Sequence, residues 1–269
     1  MLCSERNLAR RMETAEAHAA AEYVRTLARL RPESGAAVLS LAGGAAVYAG
    51  PGSPITQAIG LGLDGPVSES DFDRLESFFR TRDCRPEIEV CPLADPSLLD
   101  LLGRRGYRVL EWSNVLARLI DSRALAPAPR TMLQICRAGP EHAAGWVAIM
   151  NRCFLEQEEV TPEARDLLEP SFHVPSSAWF LGIVKGVIAG CAGVFLHGDV
   201  AVLAGAATLP AYRGRGIQAA LSRARIEHAV SSGCNLAVSI TRPGTASQHN
   251  AERLGFEIVY TRAKMAPGA

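Results

Sequence analysis

Several features that would place this chain in a familiar class are missing from its sequence. It has 28 basic and 28 acidic residues, so it lacks the basic excess that is typical of nucleic-acid-binding proteins. Its seven cysteines form no CxxC pair, and its six histidines show no metal-ligand spacing. We therefore predict reduced thiols and no metal site. The first residues are charged throughout and have no apolar signal-peptide core, so we expect a cytoplasmic protein.

The longest apolar stretch, residues 187–209, is too interrupted to cross a membrane. The turn signal His197-Gly198-Asp199 divides it into two runs of ten residues, and each is shorter than the roughly 20 residues that span a bilayer. The pattern predicts a buried β-hairpin instead.

Hydrophobic residues, in contrast, are abundant in this chain. At 48% of the sequence, they suffice for the cores of one large or two ordinary domains.

Residues 200–231 combine an apolar strand, a loop rich in glycine and arginine, and a helix. Val200–Leu209 is apolar and is followed by Pro210, and apolar residues return at helical spacing from Ile217 onward. Between them lies Arg213-Gly214-Arg215-Gly216-Ile217-Gln218. Glycines allow a ligand to approach the backbone closely, and the start of a helix offers unpaired N–H groups. With two arginines added, the stretch predicts a pyrophosphate site, and a plain turn is the alternative.

An alternative interpretation is a dinucleotide-binding loop, because Gly214, Gly216 and Ala219 also fit the fingerprint G-x-G-x-x-(G/A). That motif normally starts directly at the end of a strand, whereas residues 210–213 intervene in this chain. It also requires an acidic residue after the next strand, where residues 240–242 read Ile-Thr-Arg.

The order of strand, loop and helix resembles the GNAT superfamily of acetyl-CoA-dependent N-acetyltransferases, over roughly residues 131–266. The family's loop reads (Gln/Arg)-x-x-Gly-x-(Gly/Ala). Gly214 and Gly216 match it, while Ala211 stands at the first position and Arg213 is the candidate for the missing charge. The resemblance implies acetyl-CoA as cosubstrate, with the strand end on the pantetheine arm and the loop on the pyrophosphate. It assigns to the coenzyme Ala207, Thr208, Leu209, Arg213, Gly214, Arg215, Gly216, Ile217 and Gln218. Ser247 and Asn250 are candidates to replace a family asparagine, which maps to Gly244.

The catalytic groups of the family are not all present. The tyrosine that usually protonates the leaving thiolate maps to Ala251. Three interpretations stay open: another acid acts, the thiolate leaves unprotonated, or the chain binds acyl-CoA without turning it over. The candidates for another acid are Tyr212, His249 and Tyr260. Glu158 and Glu159 are the candidate bases, because they lie in the segment that lines the acceptor site in the family; a solvated charged loop is the alternative.

The two halves of the chain repeat one pattern. Gly106-Tyr107 and Gly255-Phe256 each precede a last strand, and they are 255 − 106 = 149 residues apart. We predict an incomplete GNAT-like domain over residues 1–123, a Pro/Ala linker over 124–130 and a GNAT domain over 131–269. Each is expected to have a mixed α/β fold (an α+β mixed sheet), with a mostly antiparallel sheet flanked by helices. Residues 63–71 of the first half carry acids in place of the arginines, so we expect no coenzyme there.

Local patterns predict a helix over residues 68–82 that is capped by Ser70, a strand over 55–62, a helix over 140–153 and a last strand over 256–262.

The whole sequence predicts an N-acetyltransferase that moves an acetyl group from acetyl-CoA to an amine of an unknown small molecule or peptide. It is expected to act as a monomer or homodimer, without nucleic acid or membrane as partner. The alternative function is a non-catalytic regulatory module that binds acyl-CoA.

Overall fold

The computed structural model describes residues 5–121 and 133–268, which form eleven strands and seven α-helices. They divide into two compact units. The first contains the described residues up to Ala117, Ile240–His249 and residues 256–268. The second contains the described residues of 118–239 and Asn250–Gly255. The predicted linker, residues 124–130, lies outside the described residues, and the domain boundaries drawn around it stay a prediction.

The first unit is a mixed sheet flanked by helices. Numbered along the chain, its elements are α1 (Arg6–Leu30), β1 (Ala37–Leu41), β2 (Gly44–Tyr48), β3 (Gln57–Ile59), α2 (Glu69–Arg80), β4 (Ile88–Val90), α3 (Pro96–Arg104), β5 (Tyr107–Leu119) and β11 (Glu257–Pro267). The strand order is β1-β2-β3-β4-β11-β5. Neighbouring strands are antiparallel except β3 and β4, which are parallel. The last strand of the chain thus lies inside this sheet, between β4 and β5.

A buried arginine fastens β11 to the rest of the first unit. The Arg262 side chain is 1% exposed, and it lies 3.0 Å from a carboxylate oxygen of Glu13, 2.6 Å from one of Glu16 and 3.0 Å from one of Glu89. The Tyr260 hydroxyl donates a hydrogen bond to Glu13 at 2.8 Å. Burial alone lowers the pKa of Arg262, but the three carboxylates outweigh it and raise that pKa, so the guanidinium stays charged.

The second unit is also a mixed sheet. Its elements are β6 (Leu133–Arg137), α4 (Ala143–Met150), α5 (Pro162–Leu168), β7 (Ser177–Val184), β8 (Val187–His197), β9 (Val200–Thr208), α6 (Ile217–Ser231) and most of β10 (Leu236–Thr241). Helix α7 (Ala246–Arg253) is divided, with residues 246–249 counted in the first unit and 250–253 in the second. The strand order is β10-β9-β8-β7-β6, in which only β9 and β10 are parallel. Strands β8 and β9 form the predicted hairpin. Helix α6 packs on the sheet through buried residues that include Ile217, Leu221, Ile226 and Ala229.

The chain runs twice through one order of elements: three strands, a helix, a strand, a helix and a strand. The first series is β1, β2, β3, α2, β4, α3 and β5, and the second is β7, β8, β9, α6, β10, α7 and β11. This repeat, with mostly antiparallel strands in both units, confirms the predicted mixed α/β fold class. Within the described residues, every helix is too short or too polar to traverse a bilayer.

Some local predictions were wrong in detail. The third strand is Gln57–Ile59 rather than 55–62, because the Thr56 amide closes a turn onto the Ser53 carbonyl before it and Gly60, with a φ of 78°, leaves the extended region after it. Ser68, not Ser70, caps α2, since its hydroxyl accepts a hydrogen bond from the Asp71 amide at 3.1 Å. The helix predicted over 140–153 consists of a 3-10 turn, α4 and a π-helical turn. The last strand continues to Pro267, because it pairs with β5 along its whole length.

Candidate functional site

Strand β9 changes direction shortly before it ends. Ala204 pairs with Gly193 on β8 and Ala207 pairs with Cys191, so two residues of β9 oppose one residue of β8. Gly205, the first of the two, has a φ of 58°. An added side chain would be strained there, and it would also meet the Trp179 ring, 2.8 Å from an ideal Cβ. This geometry is a β-bulge, which bends a strand and redirects the side chains that follow.

The end of β9 contains one buried polar group that has no partner among the described residues. Ala207 is buried, and the hydroxyl of Thr208 is buried without a hydrogen-bond partner among the described residues. The Leu209 amide donates to the Ala189 carbonyl at 2.9 Å, which closes the ladder. A buried hydroxyl with no partner costs free energy, so the end of β9 is suited to a ligand that carries amide groups, as a pantetheine arm does.

The loop between β9 and α6 is open to an approaching ligand. Gly214 and Gly216 have φ values of 75° and 76°, and no atom lies within 4 Å of an ideal Cβ built at either position. Gly216 is the N-cap of α6 and supplies no capping side chain. The amides of the first helical turn therefore keep their donors for an external acceptor. Ile217 is buried beneath them and anchors the helix start to the sheet.

Two arginines add formal charge to this helix start. The Nε of Arg213 donates to the Thr208 carbonyl at 3.4 Å, and the guanidinium of Arg215 lies 5.2 Å from the centre of the Tyr212 ring. In the part of the chain that the structure describes, no ion pair joins either guanidinium to a carboxylate. Free amides, a positive helix end and two unneutralised arginines together fit a pyrophosphate group.

A buried asparagine holds the acidic segment that follows α4. After α4 the chain forms a π-helical turn over Asn151–Leu155, and Glu156 ends it in the left-handed region, with a φ of 55°. The Asn151 side chain is fully buried, and its amide donates to the carbonyls of Gln157 at 2.8 Å and Glu159 at 3.0 Å. Glu158 pairs with Arg152 at 3.1 Å. The side chains of Glu158 and Glu159 are thus exposed to solvent, while the Asn151 side chain holds the backbone of this segment in place.

The π-helical turn before this acidic segment contains a partly buried thiol, Cys153. Burial raises the pKa of the Cys153 thiol, which lies in the π-helical turn, while Arg213 and Arg152 lower it. The π-helical turn that leads into the acidic segment also packs against β9. The positions of Glu158 and Glu159 relative to the loop of residues 213–218 stay a prediction.

Of the remaining candidates, Tyr260 is buried in β11 with its hydroxyl on Glu13, and the others lie on α7; their roles stay predictions. Ser247 and His249 are counted with the first compact unit, and Asn250 with the second. The Asn250 side chain already accepts a hydrogen bond from Arg253. Gln248, which the sequence did not single out, is the buried polar residue of this helix. Its side chain accepts from the Gly244 amide at 2.8 Å and from the Asn114 side chain at 3.2 Å.

The equivalent place in the first unit is occupied by the chain's own groups. Asp64 pairs with Arg10 at 3.3 Å. Glu69 pairs with Arg104 at 2.6 Å and with Arg105 at 2.9 Å. The start of α2 carries the Ser68 cap described above. Its free donors are therefore fewer than those of α6, and its charges are negative where those of α6 are positive.

Comparison with known proteins gives one family and one fold. The family model for "Acetyltransferase (GNAT) family" matches residues 143–256. No curated protein matched the sequence. A solved GCN5-related N-acetyltransferase from Kribbella flavida is similar over 97% of this chain and 96% of its own, with a TM-score of 0.67 and 18% identity. One from Sphaerobacter thermophilus is similar over 79% and 73% of the two chains, with a TM-score of 0.57 and 16% identity.

A tandem GNAT protein from the clavulanic acid biosynthesis pathway is also similar, over 85% of this chain and 80% of its own, with a TM-score of 0.59 and 16% identity. At these identities the likeness concerns the fold. A tandem arrangement of one fold agrees with the order of elements that occurs twice in this chain.

Proposed function

We propose that the domain that includes residues 143–256, which match the GNAT family model, transfers an acetyl group from acetyl-CoA to an amine of a small molecule or peptide. The observation that carries the proposal is the uncapped start of α6, where Gly214 and Gly216 leave space above the backbone amides. Arg213 and Arg215 add two positive charges beside those amides. A CoA pyrophosphate carries about two negative charges, so amides and guanidinium groups complement it in number and sign.

The end of β9 would hold the pantetheine arm. Thr208 contributes a buried hydroxyl that has no partner among the described residues. After the bulge the strand end stays paired with β8, whereas its pairing with β10 already ends at Leu203. When bound, acetyl-CoA supplies an acetyl group activated as a thioester. The contribution of the protein is to hold that group in a fixed place beside the incoming amine, which replaces a bimolecular encounter by a positioned one.

The acidic segment 156–159 would face the amine. An alkyl amine is protonated near neutral pH, so exposed carboxylates attract it and can accept its proton. Glu158 is partly neutralised by Arg152, whereas no ion pair is recorded for Glu159 within the described residues. We therefore assign the base to Glu159 before Glu158. A thiol has a pKa of about 8.5, so the CoA thiolate is a stable leaving group and requires little help from Tyr212 or His249.

Calorimetric titration of the full chain with CoA, followed by turnover with a panel of amines, tests the proposal. We expect one CoA per chain, no competing affinity for NADP, and release of free thiol that depends on one class of amine. Binding of CoA without turnover on any amine would assign the chain to the acyl-CoA-binding regulatory module instead. Failure to bind CoA would overturn the assignment of the loop, and a stoichiometry of two would overturn the prediction that the first half binds no coenzyme.

A further inference from the structure

A buried arginine lies beneath the bulge of β9. Arg225 of α6 is 3% exposed. One of its terminal nitrogens donates to the Gly193 carbonyl at 3.2 Å and the Ala204 carbonyl at 3.4 Å, and the other donates to the Ser222 hydroxyl at 2.8 Å. Among the residues that the structure describes, no carboxylate forms an ion pair with it. Burial lowers its pKa to about 10, so it remains protonated at neutral pH.

The two carbonyls that Arg225 binds mark the point where the ladder is interrupted. Gly193 and Ala204 are the last regular pair of β8 and β9 before the bulge, and the next pair is Cys191 with Ala207. One guanidinium nitrogen thus contacts both strands on the side of the bulge that faces α6. On the other side, the Trp179 ring leaves room only for a glycine at position 205. The bulge is therefore fixed from both faces of the sheet.

Burying the Arg225 guanidinium between helix and sheet, without a carboxylate partner in the described part of the chain, costs desolvation free energy. An apolar side chain of similar volume fills such a space without the cost of desolvating a charge. What the guanidinium adds is directional hydrogen bonding to two carbonyls on different strands. Its contribution is thus expected in the geometry of the bulge rather than in the stability of the unit.

We propose that Arg225 is a positioning residue that fixes the β9 bulge and so sets the direction of Ala207 and Thr208 toward the pantetheine arm of the coenzyme. This inference rests on the proposed function. According to this inference, two different parts of the site bind the two halves of CoA. The loop and the start of α6 would hold the nucleotide half through its pyrophosphate, and the bulge that Arg225 supports would select the arm.

The separation can be measured with two probes. CoA and its nucleotide half, 3′-phospho-ADP, are titrated calorimetrically into the full-length chain and into the variants Arg225→Met and Arg225→Lys. For Arg225→Met we expect the CoA affinity to fall about tenfold or more, while the affinity for 3′-phospho-ADP changes by less than about twofold. Lys retains a charged donor that can reach a carbonyl, so Arg225→Lys should recover part of the CoA affinity.

Arg223→Met is the matched control, because Arg223 lies on the same helix and pairs with Glu227 at 2.7 Å. It should change neither affinity. An equal loss for both probes in Arg225→Met would show a general structural role and overturn the inference, as would unchanged CoA affinity. If Arg225→Met does not fold, Arg225→Lys decides, and equal effects on the two probes again refute the idea. Should the unmodified chain bind neither probe, the proposed function itself fails, and that result is distinct from the others.

Discussion

Replacing Gly216 by alanine tests the candidate coenzyme loop at the start of α6. The glycine has a φ of 76°, and an added Cβ meets no protein atom within 4 Å. The substitution therefore introduces backbone strain but no clash within the protein. An L residue in the left-handed region costs roughly 1–2 kcal/mol, and this loss should appear in the free energy of unfolding whether or not a coenzyme binds.

Gly233 provides a control for the strain alone. It has a φ of 89°, lies just beyond the end of α6, and also has no atom within 4 Å of an ideal Cβ. Gly233→Ala should lower the stability by a similar amount. Only Gly216→Ala places a methyl group where a pyrophosphate must approach the amides. We expect its CoA affinity to fall by more than about tenfold, which corresponds to about 1.4 kcal/mol, and that of Gly233→Ala to stay as in the unmodified chain.

The two measurements are calorimetric titration with CoA and thermal unfolding in the absence of ligand. The reasoning is refuted if Gly216→Ala binds CoA as tightly as the unmodified chain while both variants show the same loss of stability. An equal loss of CoA affinity in both variants would also refute it, since backbone strain and not proximity to the ligand would then explain the effect.

Two further predictions concern catalysis and stability. Tyr212→Phe and His249→Ala should each leave kcat within about tenfold of the unmodified value; a fall of 100-fold or more, the size typical of a lost general acid, would assign that residue to catalysis. Arg262→Met removes the cation from a buried group of three carboxylates and should lower the free energy of unfolding in urea by about 3–5 kcal/mol. Arg85→Met breaks only a half-exposed pair with Glu87 and should cost less than about 1 kcal/mol, so equal losses in the two variants would contradict this account.

The candidate coenzyme loop could be read from the sequence because its geometry is set by near neighbours. Pro210 follows the end of the strand, two glycines take left-handed backbone angles, and the helix starts immediately afterwards. Each of these features depends on residues within a few positions. The hairpin of β8 and β9 was readable for the same reason, since its turn falls at Gly198, between two apolar runs.

Arg225 could not be recognised as part of the site from its sequence context. The apolar pattern of α6 was read from Ile217, Leu221 and similar residues, and an arginine on a helix normally lies in solvent. Its spacing of four residues from Leu221 was the one available signal that it shares the buried face. Its burial is compensated by hydrogen bonds to two carbonyls on different strands. Those carbonyls lie beside the bulge, which depends on long-range strand pairing that no local sequence pattern encodes.

The position of the last strand is the clearest effect of long-range structure. By its place in the chain, β11 completes the second series of elements, yet it pairs with β4 and β5 in the first unit. Its Arg262 takes all three of its carboxylate partners from elements of the first half. Without the first half, β11 would have neither strand neighbour, and a buried cation would lose every counter-charge. At the start of α2, Arg104 and Arg105 are already paired with Glu69, and the first unit holds the final strand of the chain. We therefore expect the first half to contribute structure rather than a second coenzyme site.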